Sequence, residues 1–416
     1  MPKLTVVICV DHAHVNGGQA KVAIDSALGL AQAGTRVTFF SACGPIDPRL
    51  AEAGIETVCL GQRDILDDPS RLAAAGRGLW NAAAARALGA TLARLPRSQT
   101  IVHVHGWAKA LSPAIGRPIR ASGLPAAYTM HEYFLHCPNG GFYNFQKNEV
   151  CPLIPLSAAC WATHCDSRNY PIKLWRNARL LVAGRARFAE TFSDIILLSD
   201  LQEKVLQTCL PRTARLHRVT NPVDVAPLGP KNDPQSGDFL FVGRLSPEKG
   251  PFLFAEAARR AGVTPLFIGD GSIAGALRAR FPQARLLGWR DPAEARAAMR
   301  AARALVFPSL WHETFGLAAF EAAALGTPAI VADGCAAREA VTHEATGLWF
   351  RSGDVDSLAS AIRALRNDAV IADMSHRAYD AYWAAPATPA RHVAETLAVY
   401  EKMLAGAAID AGEKLR

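Results

Sequence analysis

The sequence predicts an α/β protein of two domains, each built on a parallel sheet, and three observations carry that reading. The chain has 416 residues, half of them apolar, more than one hydrophobic core usually serves. Short apolar runs alternate with helical stretches in two series, separated by an aperiodic Pro-, Gly-, Asn- and Asp-containing segment at 222–238. Several of those runs end in polar or Gly-containing loops, as strands do on the ligand-binding edge of a parallel sheet.

Taken in order, LTVVICV at 4–10 is the first strand. It passes through Asp11 and His12 into a loop holding Gly17 and Gly18, and a helix follows to about Ala33, where Gly34 ends it before the strand RVTFFSA. This βαβ start lacks the GxGxxG spacing and the acidic ribose ligand of a dinucleotide site, which argues against a nicotinamide cofactor. The Gly17-Gly18 loop is either a close approach to a phosphate or a plain tight turn. IETVCL gives a third strand, 69–94 a helical region, IVHVHGW a fourth strand and AAYTMHEYF a fifth, with His131 and Glu132 at its carboxyl end. That placement makes His131 a candidate ligand contact, against the structural role most lone histidines have.

From Cys137 to Cys165 the βα pattern breaks into a Pro-, Asn- and Gly-rich segment. Cys137, Cys151, Cys160 and Cys165 all fall in it, and a structural zinc site is the expectation, with His164 a competing ligand. Disulfides and reduced packing thiols are the rival readings. The helical stretch after it carries Lys173, Arg176, Arg179, Arg185 and Arg187 among apolar residues, which reads as a basic amphipathic surface for anionic lipid or as an ordinary solvated face.

The second series begins with DFLFVGRLSPEKG, a strand, loop and helix start with Arg244 and Lys249 near the strand end. Two cations beside a glycine loop match a diphosphate. PLFIGDG and ARLLGWRD are further strands, with Gly269, Gly271 and Gly288 leaving room at their ends. ALVFPSLWHETFGLAAFEAAALGTPAIV, 304–331, is then a strand, a polar loop, a helix from about Gly316 and another strand. Helix N-termini at such strand ends present free N–H groups and suit phosphate. Glu313 and Glu321 make an all-anion site implausible, so they read as acceptors for ligand hydroxyls, or else as a helix cap and a solvated helix residue. The DVD at 354–356 starts a helix and reads as an N-cap rather than a metal motif. A helix broken at Pro386 and Pro389 closes the chain.

The net charge of +8 suits anionic partners without choosing among them. No apolar run approaches the roughly 18 residues of a membrane span, and the first strand passes straight into a polar loop, so no signal peptide or transmembrane helix is expected. Nine cysteines, an odd count, fit a reducing compartment.

Glu313-Thr314-Phe315-Gly316-Leu317 through Glu321, an E-x7-E pattern, with Gly326-Thr327-Pro328 after it, resembles the retaining nucleotide-sugar glycosyltransferases of family 4 (glycosyl transferases group 1), and the Cys-rich insertion resembles one in a bacterial subset of them that builds surface polysaccharides. FVGRLSPEKG at 241–250, NPVD at 221–224, the Gly17-Gly18 loop and the His131-Glu132 pair extend the resemblance over most of the chain. It implies the GT-B architecture, two Rossmann-like doubly wound domains facing each other across a cleft. The acceptor-side domain would be 1–222 with its Cys-rich insertion at about 137–165, the nucleotide-sugar domain 223–388, and the helix 389–416 would cross back to the first domain.

The resemblance also implies roles. Arg244 and Lys249 would neutralise the donor diphosphate, completed by the backbone N–H groups of Phe315, Gly316 and Leu317. Glu313 would hold hydroxyls of the transferred sugar and Glu321 the nucleoside ribose, with Gly17 and Gly18 approaching from the facing domain and His131 near the anomeric centre. Where the family often has Asp after that histidine, this chain has Glu132. The implied reaction is a metal-independent same-face transfer without a protein nucleophile or catalytic cofactor. A UDP- or GDP-sugar would be the donor and a glycan or lipid-linked glycan the acceptor, in the cytoplasm, with peripheral contact on the anionic inner face of the plasma membrane and no nucleic acid. The rival readings are a nucleotide-sugar epimerase or phosphorylase, and a non-enzymatic protein holding zinc and lipid.

Overall fold

The computed structural model describes residues 4–210 and 213–413. The chain starts with β1 (Thr5–His12), α1 (Gly18–Gln32), β2 (Arg36–Cys43), α2 (Pro48–Glu52) and β3 (Glu56–Gln62). Then come α3 (Arg71–Leu79), α4 (Ala82–Ala93), β4 (Thr100–Val104), α5 (Gly116–Ser122) and β5 (Ala126–Thr129). The Cys-rich segment contributes β6 (Tyr143–Asn144), β7 (Glu149–Val150) and α6 (Ala158–Ala162), before α7 (Tyr170–Arg185), β8 (Asp194–Leu197), α8 (Asp200–Leu206) and β9 (Arg215–Arg218).

The second series is β10 (Phe239–Val242), α9 (Pro251–Ala261), β11 (Pro265–Ile268), α10 (Ala274–Arg280), β12 (Arg285–Leu286) and α11 (Pro292–Ala301). It continues with β13 (Ala304–Phe307), α12 (Leu317–Ala324), β14 (Ala329–Ala332), β15 (Gly347–Phe350), α13 (Val355–Ala364), α14 (Asp368–Ala384) and α15 (Pro389–Glu413).

Two parallel sheets result, ordered β3-β2-β1-β4-β5-β8-β9 and β12-β11-β10-β13-β14-β15. In each, the first strand of the series lies inside and the chain reverses direction beside it, the doubly wound order of a Rossmann-like domain. Register is set from Thr5, which pairs with Arg36 on one side and Thr100 on the other; Phe239 does the same with Pro265 and Ala304. Helices cover both faces, which is why TVVICVDH is buried along its whole length rather than alternating. The fold is GT-B, with the two domains facing each other across a cleft.

Local chemistry explains where the elements depart from the sequence pattern. The helical region at 69–94 is two helices, because Trp80 is extended and the Asn81 side chain accepts from Ala84 N–H at 3.0 Å to start α4 afresh. The fifth strand stops at Thr129, where His131 N–H turns back to the Thr129 carbonyl at 3.0 Å. Asp354 is an N-cap, accepting from Asp356 and Ser357 N–H at 2.9 Å each. The space at Gly269 is filled by backbone: at φ +132, a Cβ there would lie 1.9 Å from the Gly243 carbonyl oxygen. Gly250, at φ +70, similarly lets Pro308 O come within 2.1 Å of where its Cβ would stand, so the loops leaving β10 and β13 press together.

After α14 the chain returns to the first domain. Val393, Val399, Tyr400 and Met403 of α15 join the core beneath β1 and α1. His392 shares a hydrogen bond with Ser26 Oγ at 2.7 Å, and the Tyr400 hydroxyl one with His103 Nδ1 at 2.6 Å. Tyr400 is fully buried. Tyr400→Ala is therefore expected to cost about 3–5 kcal/mol in urea unfolding, and Tyr400→Phe, which leaves His103 Nδ1 unpaired, about 1–2 kcal/mol; wild-type stability in both variants would mean that α15 is not docked.

Candidate active site

The reversal points of both sheets open toward one another, at the carboxyl ends of β1 and β4 and of β10 and β13. Between them lies a cavity of about 360 Å³, lined by Gly17 and Gly18 from one domain and by Gly243, Arg244, Lys249 and Ser309 from the other. Gly17 has φ +98 and precedes α1 without any side-chain cap, so the first-turn N–H groups of a 15-residue helix are left toward the opening. A Cβ on either glycine would meet nothing within 4 Å; the backbone is thus bare on the ligand side.

Across the cavity Lys249 donates to Glu313 Oε1, which also accepts from Ser309 Oγ at 3.0 Å. The Lys249 ammonium sits over the Trp311 ring, 5.3 Å from its centroid. Burial pushes the Glu313 carboxyl up, but Lys249 outweighs it and the carboxyl stays below its ordinary range. Glu313 is therefore an ionised acceptor and not a helix cap; α12 begins at Gly316, φ +89, without a side-chain cap. Arg244 is held at the rim by Glu248 at 3.0 Å, which accepts also from Ser246 Oγ at 2.6 Å, and its side chain is 65% exposed.

The remaining predicted residues sit around this cavity rather than in it. The Phe315 ring stacks on Phe320 at 4.3 Å and lines a different depression with Arg218 and Glu339, and Leu317 packs against the Ala323 and Tyr382 cluster. Only their backbone is available to the helix-start cradle. Burial raises the Glu321 carboxyl, opposed by the charges of Arg296 and of Lys21 on α1.

His131 stacks on His105, 5.2 Å between centroids, with Nε2 to Nδ1 at 2.9 Å, and His105 leans on His103 at 4.1 Å. Burial pushes His103 and His131 down to about 3 and His105 well below its ordinary value, so all three imidazoles are neutral near pH 7. The His131 carbonyl accepts from Thr314 Oγ1 of the second domain at 3.2 Å. Glu132 is pushed up to about 7 by burial and by Asp11, and its Oε1 is buried without a hydrogen-bond partner.

Sequence reasoning did not single out Asp11, Ser309, Trp311 or Thr314. Asp11 is buried, and its carboxylate accepts from the N–H groups of Lys109, Ala110 and Leu111 at 3.0, 2.8 and 2.8 Å, pinning the loop after β4. The HxH spacing of His103 and His105 on one strand face was its available signal for the imidazole stack.

Two expectations are corrected. Among the described residues, no group of three or more His, Cys, Asp or Glu could hold a metal ion, so Cys137, Cys151, Cys160 and Cys165 do not form a zinc site. All nine cysteines are free. The four thiols border a space of only about 10 Å³ that they share with Lys173. Its buried ammonium donates to Cys160 O at 3.0 Å, Cys160 Sγ at 3.3 Å and Asn177 Oδ1 at 2.9 Å, so a cation already stands there. Burial also pushes Cys165 up to about 12 and raises Cys137, which favours thiol over the thiolate a metal needs. Nor is α7 a basic outer face: Lys173 and Arg179 are buried and Arg176 points inward to Asp166 at 3.1 Å, leaving Arg185 and Arg187 exposed.

The sequence profile described as Glycosyltransferase Family 4 matches residues 16–227, and that of Glycosyl transferases group 1 matches 230–381. A glycogen synthase from Mycobacterium tuberculosis is 32% identical over 204 residues, 45% of this chain and 49% of that protein. The UDP-Gal:alpha-D-GlcNAc-diphosphoundecaprenol alpha-1,3-galactosyltransferase of Escherichia coli is 32% identical over 151 residues, 33% of this chain and 38% of that protein. The chain thus spans about half, or less, of the length of these curated relatives. Anabaena Alr3699/HepE, crystallised with UDP and glucose, superposes with a TM-score of 0.64 at 16% identity, covering 95% of this chain and all of that one, a likeness of fold. Among the described residues no helix is long and apolar enough to cross a membrane.

The histidine stack yields a pH prediction. Below an ordinary imidazole value of 6.5 the unfolded chain binds protons that folded His103 and His131 refuse down to about 3, and His105 is held well below its ordinary value in the same sense, so stability falls as pH drops through this window. Glu132 acts in the opposite sense between 4.5 and about 7, because the folded state keeps its proton. Urea unfolding at about pH 5 and about pH 6 should give a slope shallower by about 1.4 kcal/mol per pH unit in His131→Asn than in wild type. An unchanged slope would show that His131 titrates normally in the fold.

Proposed function

The chain belongs to glycosyltransferase family 4, whose profile spans about half of it, and from that premise we propose that it is a retaining glycosyltransferase using a UDP- or GDP-sugar donor. The observation that carries the reading is the single cavity bordered by Gly17 and Gly18 of one domain and by Arg244 and Lys249 of the other. A dense anion with a nucleoside on one side and a sugar on the other fits such a place: helix-start N–H groups, a guanidinium and an ammonium converge, while a carboxylate remains for hydroxyls.

In this reading residues 1–222 are the acceptor side, 223–388 the donor side, and the helix from 389 straps the second domain to the first. Arg244 and Lys249 stabilise the charge that grows on the departing diphosphate, with backbone N–H groups from Phe315 to Leu317. Glu313, fixed by Lys249 and Ser309, accepts from hydroxyls of the transferred sugar. Glu321 holds the ribose, and neutral His131 positions the sugar at its anomeric carbon. The bond from that carbon to the diphosphate oxygen breaks as the bond to the acceptor oxygen forms on the same face, and the acceptor proton passes to the leaving oxygen. No side chain acts as nucleophile and no metal is required for charge neutralisation.

The acceptor is proposed to be a glycan or lipid-linked glycan of bacterial surface polysaccharide, and the protein to work in the cytoplasm, peripheral to the inner face of the plasma membrane. The activity for which the Escherichia coli relative is named, galactosyl transfer to a diphosphoundecaprenol-linked sugar, supports that choice. A thermal-shift screen should show UDP- or GDP-sugars raising the melting temperature above ADP-sugars at equal concentration. Arg244→Ala is expected to lower kcat/KM by roughly 10²–10³-fold, as when a preorganised charge-stabilising donor is removed. Near-native rates, or donor affinity surviving Arg244→Ala combined with Glu321→Ala, would refute the donor site, and free-sugar epimerisation without transfer would favour an epimerase.

A further inference from the structure

A second cavity, of about 350 Å³, lies wholly within the first domain, between the loop leaving β4 and the inner face of α7. Its size is that of a small-ligand pocket. The walls are largely apolar, with Leu66, Phe134, Ile172 and Trp175 among them. Set into these walls are five cations: Arg71, Lys109, Arg168, Arg176 and Arg179.

Their charge is poorly balanced. Arg176 and Arg168 share the single buried carboxylate of Asp166, at 3.1 and 3.6 Å. Among the described residues, Arg71, Lys109 and Arg179 have no carboxylate at ion-pair distance. Arg71 donates to the carbonyls of Ile65 and Leu66 at 2.9 and 3.1 Å, and Arg179 to that of Ala108 at 2.6 Å. The Arg179 guanidinium is buried among the rings of Phe134, Trp175 and Trp107, at 4.9, 5.1 and 5.3 Å. Asp11 lies behind it, with its oxygens already taken by three backbone N–H groups. Two other acids lie nearby: Glu132 is one that burial holds toward its neutral form, and Asp64, whose charge Lys109 favours, is already paired with His12 at 3.1 Å.

Uncompensated cations against apolar walls call for an anion that carries hydrocarbon. A sugar alone would not discharge them, and a bare phosphate would leave the walls wet. At the mouth, Leu66 is 51% exposed, and Leu72, next to Arg71, is 89% exposed, so the apolar surface continues outward. On its inner side the cavity adjoins the active site: the loop after β4 bears His105 against His131 as well as Lys109 in the wall, and Phe134 follows two residues after Glu132. We propose that this cavity binds the phosphate and adjoining hydrocarbon of a lipid-phosphate-linked acceptor, holding its sugar toward His131. The assignment rests on the glycosyl-transfer reading and narrows the acceptor to the lipid-linked class.

The test is isothermal titration of the full chain with geranyl phosphate, geraniol and inorganic phosphate, in parallel with UDP. Geranyl phosphate is expected to bind at least tenfold more tightly than either fragment. Arg71→Ala with Lys109→Ala, and separately Leu66→Glu at the exposed mouth, should each weaken it by about tenfold or more while UDP affinity is retained. Geraniol binding as tightly as its phosphate, or geranyl phosphate affinity indifferent to both sets of variants, would overturn the assignment. Loss of UDP binding by wild type with geranyl phosphate still bound would instead sink the donor reading and leave the cavity's ligand class standing.

Discussion

The buried pairing of Lys249 with Glu313, seconded by Ser309, fixes the mouth of the second domain. It ties the loop after β10 to the loop after β13 at the point where the strand order reverses. A carboxylate this enclosed is tolerable only beside its cation, and removing either partner would strand the other in a low-dielectric site. The same pairing holds Glu313 ionised beside the cavity between the domains. Gly250 makes the approach sterically feasible, since any side chain there would strike Pro308.

A site split between two domains also has to be brought together, and the chain does this at several depths. Thr314 reaches the His131 carbonyl, and Glu339 accepts from Arg218 at 2.6 Å and from Leu201 N–H at 3.1 Å. Beneath these lies α15, whose Tyr400 hydroxyl meets His103 in the same imidazole stack that ends at His131. The returning helix is thus linked to His131 through two intermediaries. The stack works as a neutral, rigid support because burial denies all three rings their protons near pH 7.

Charge on α7 followed a logic that a helical pattern does not reveal. Arg176 and Arg179 read as an outer basic face, yet they turn inward, where aromatic rings and carbonyls receive them. Lys173 does the same among the four cysteines, and its ammonium fills the role that a metal was expected to play. In both places a long side chain has carried a charge inward past apolar atoms, which a count of cations along a helix does not record.

The sequence by itself determined the two-sheet architecture, because parallel strands buried on both faces must read as unbroken apolar runs such as VVICV and ALVF. It also marked Gly17, Arg244, Lys249 and Glu313 as residues of strand-end loops, since doubly wound sheets place their ligand loops at those ends. Tertiary structure alone decided which of these loops meet. Glu313 as the partner of Lys249, Asp11 as the anchor of a loop nearly a hundred residues away, and Glu132 as a buried acid all depend on contacts between distant segments. The same holds for the cysteines and for α7, because hydrophobic and charge periodicity describes one element at a time, whereas burial, pairing and protonation are set by whatever the neighbouring elements bring.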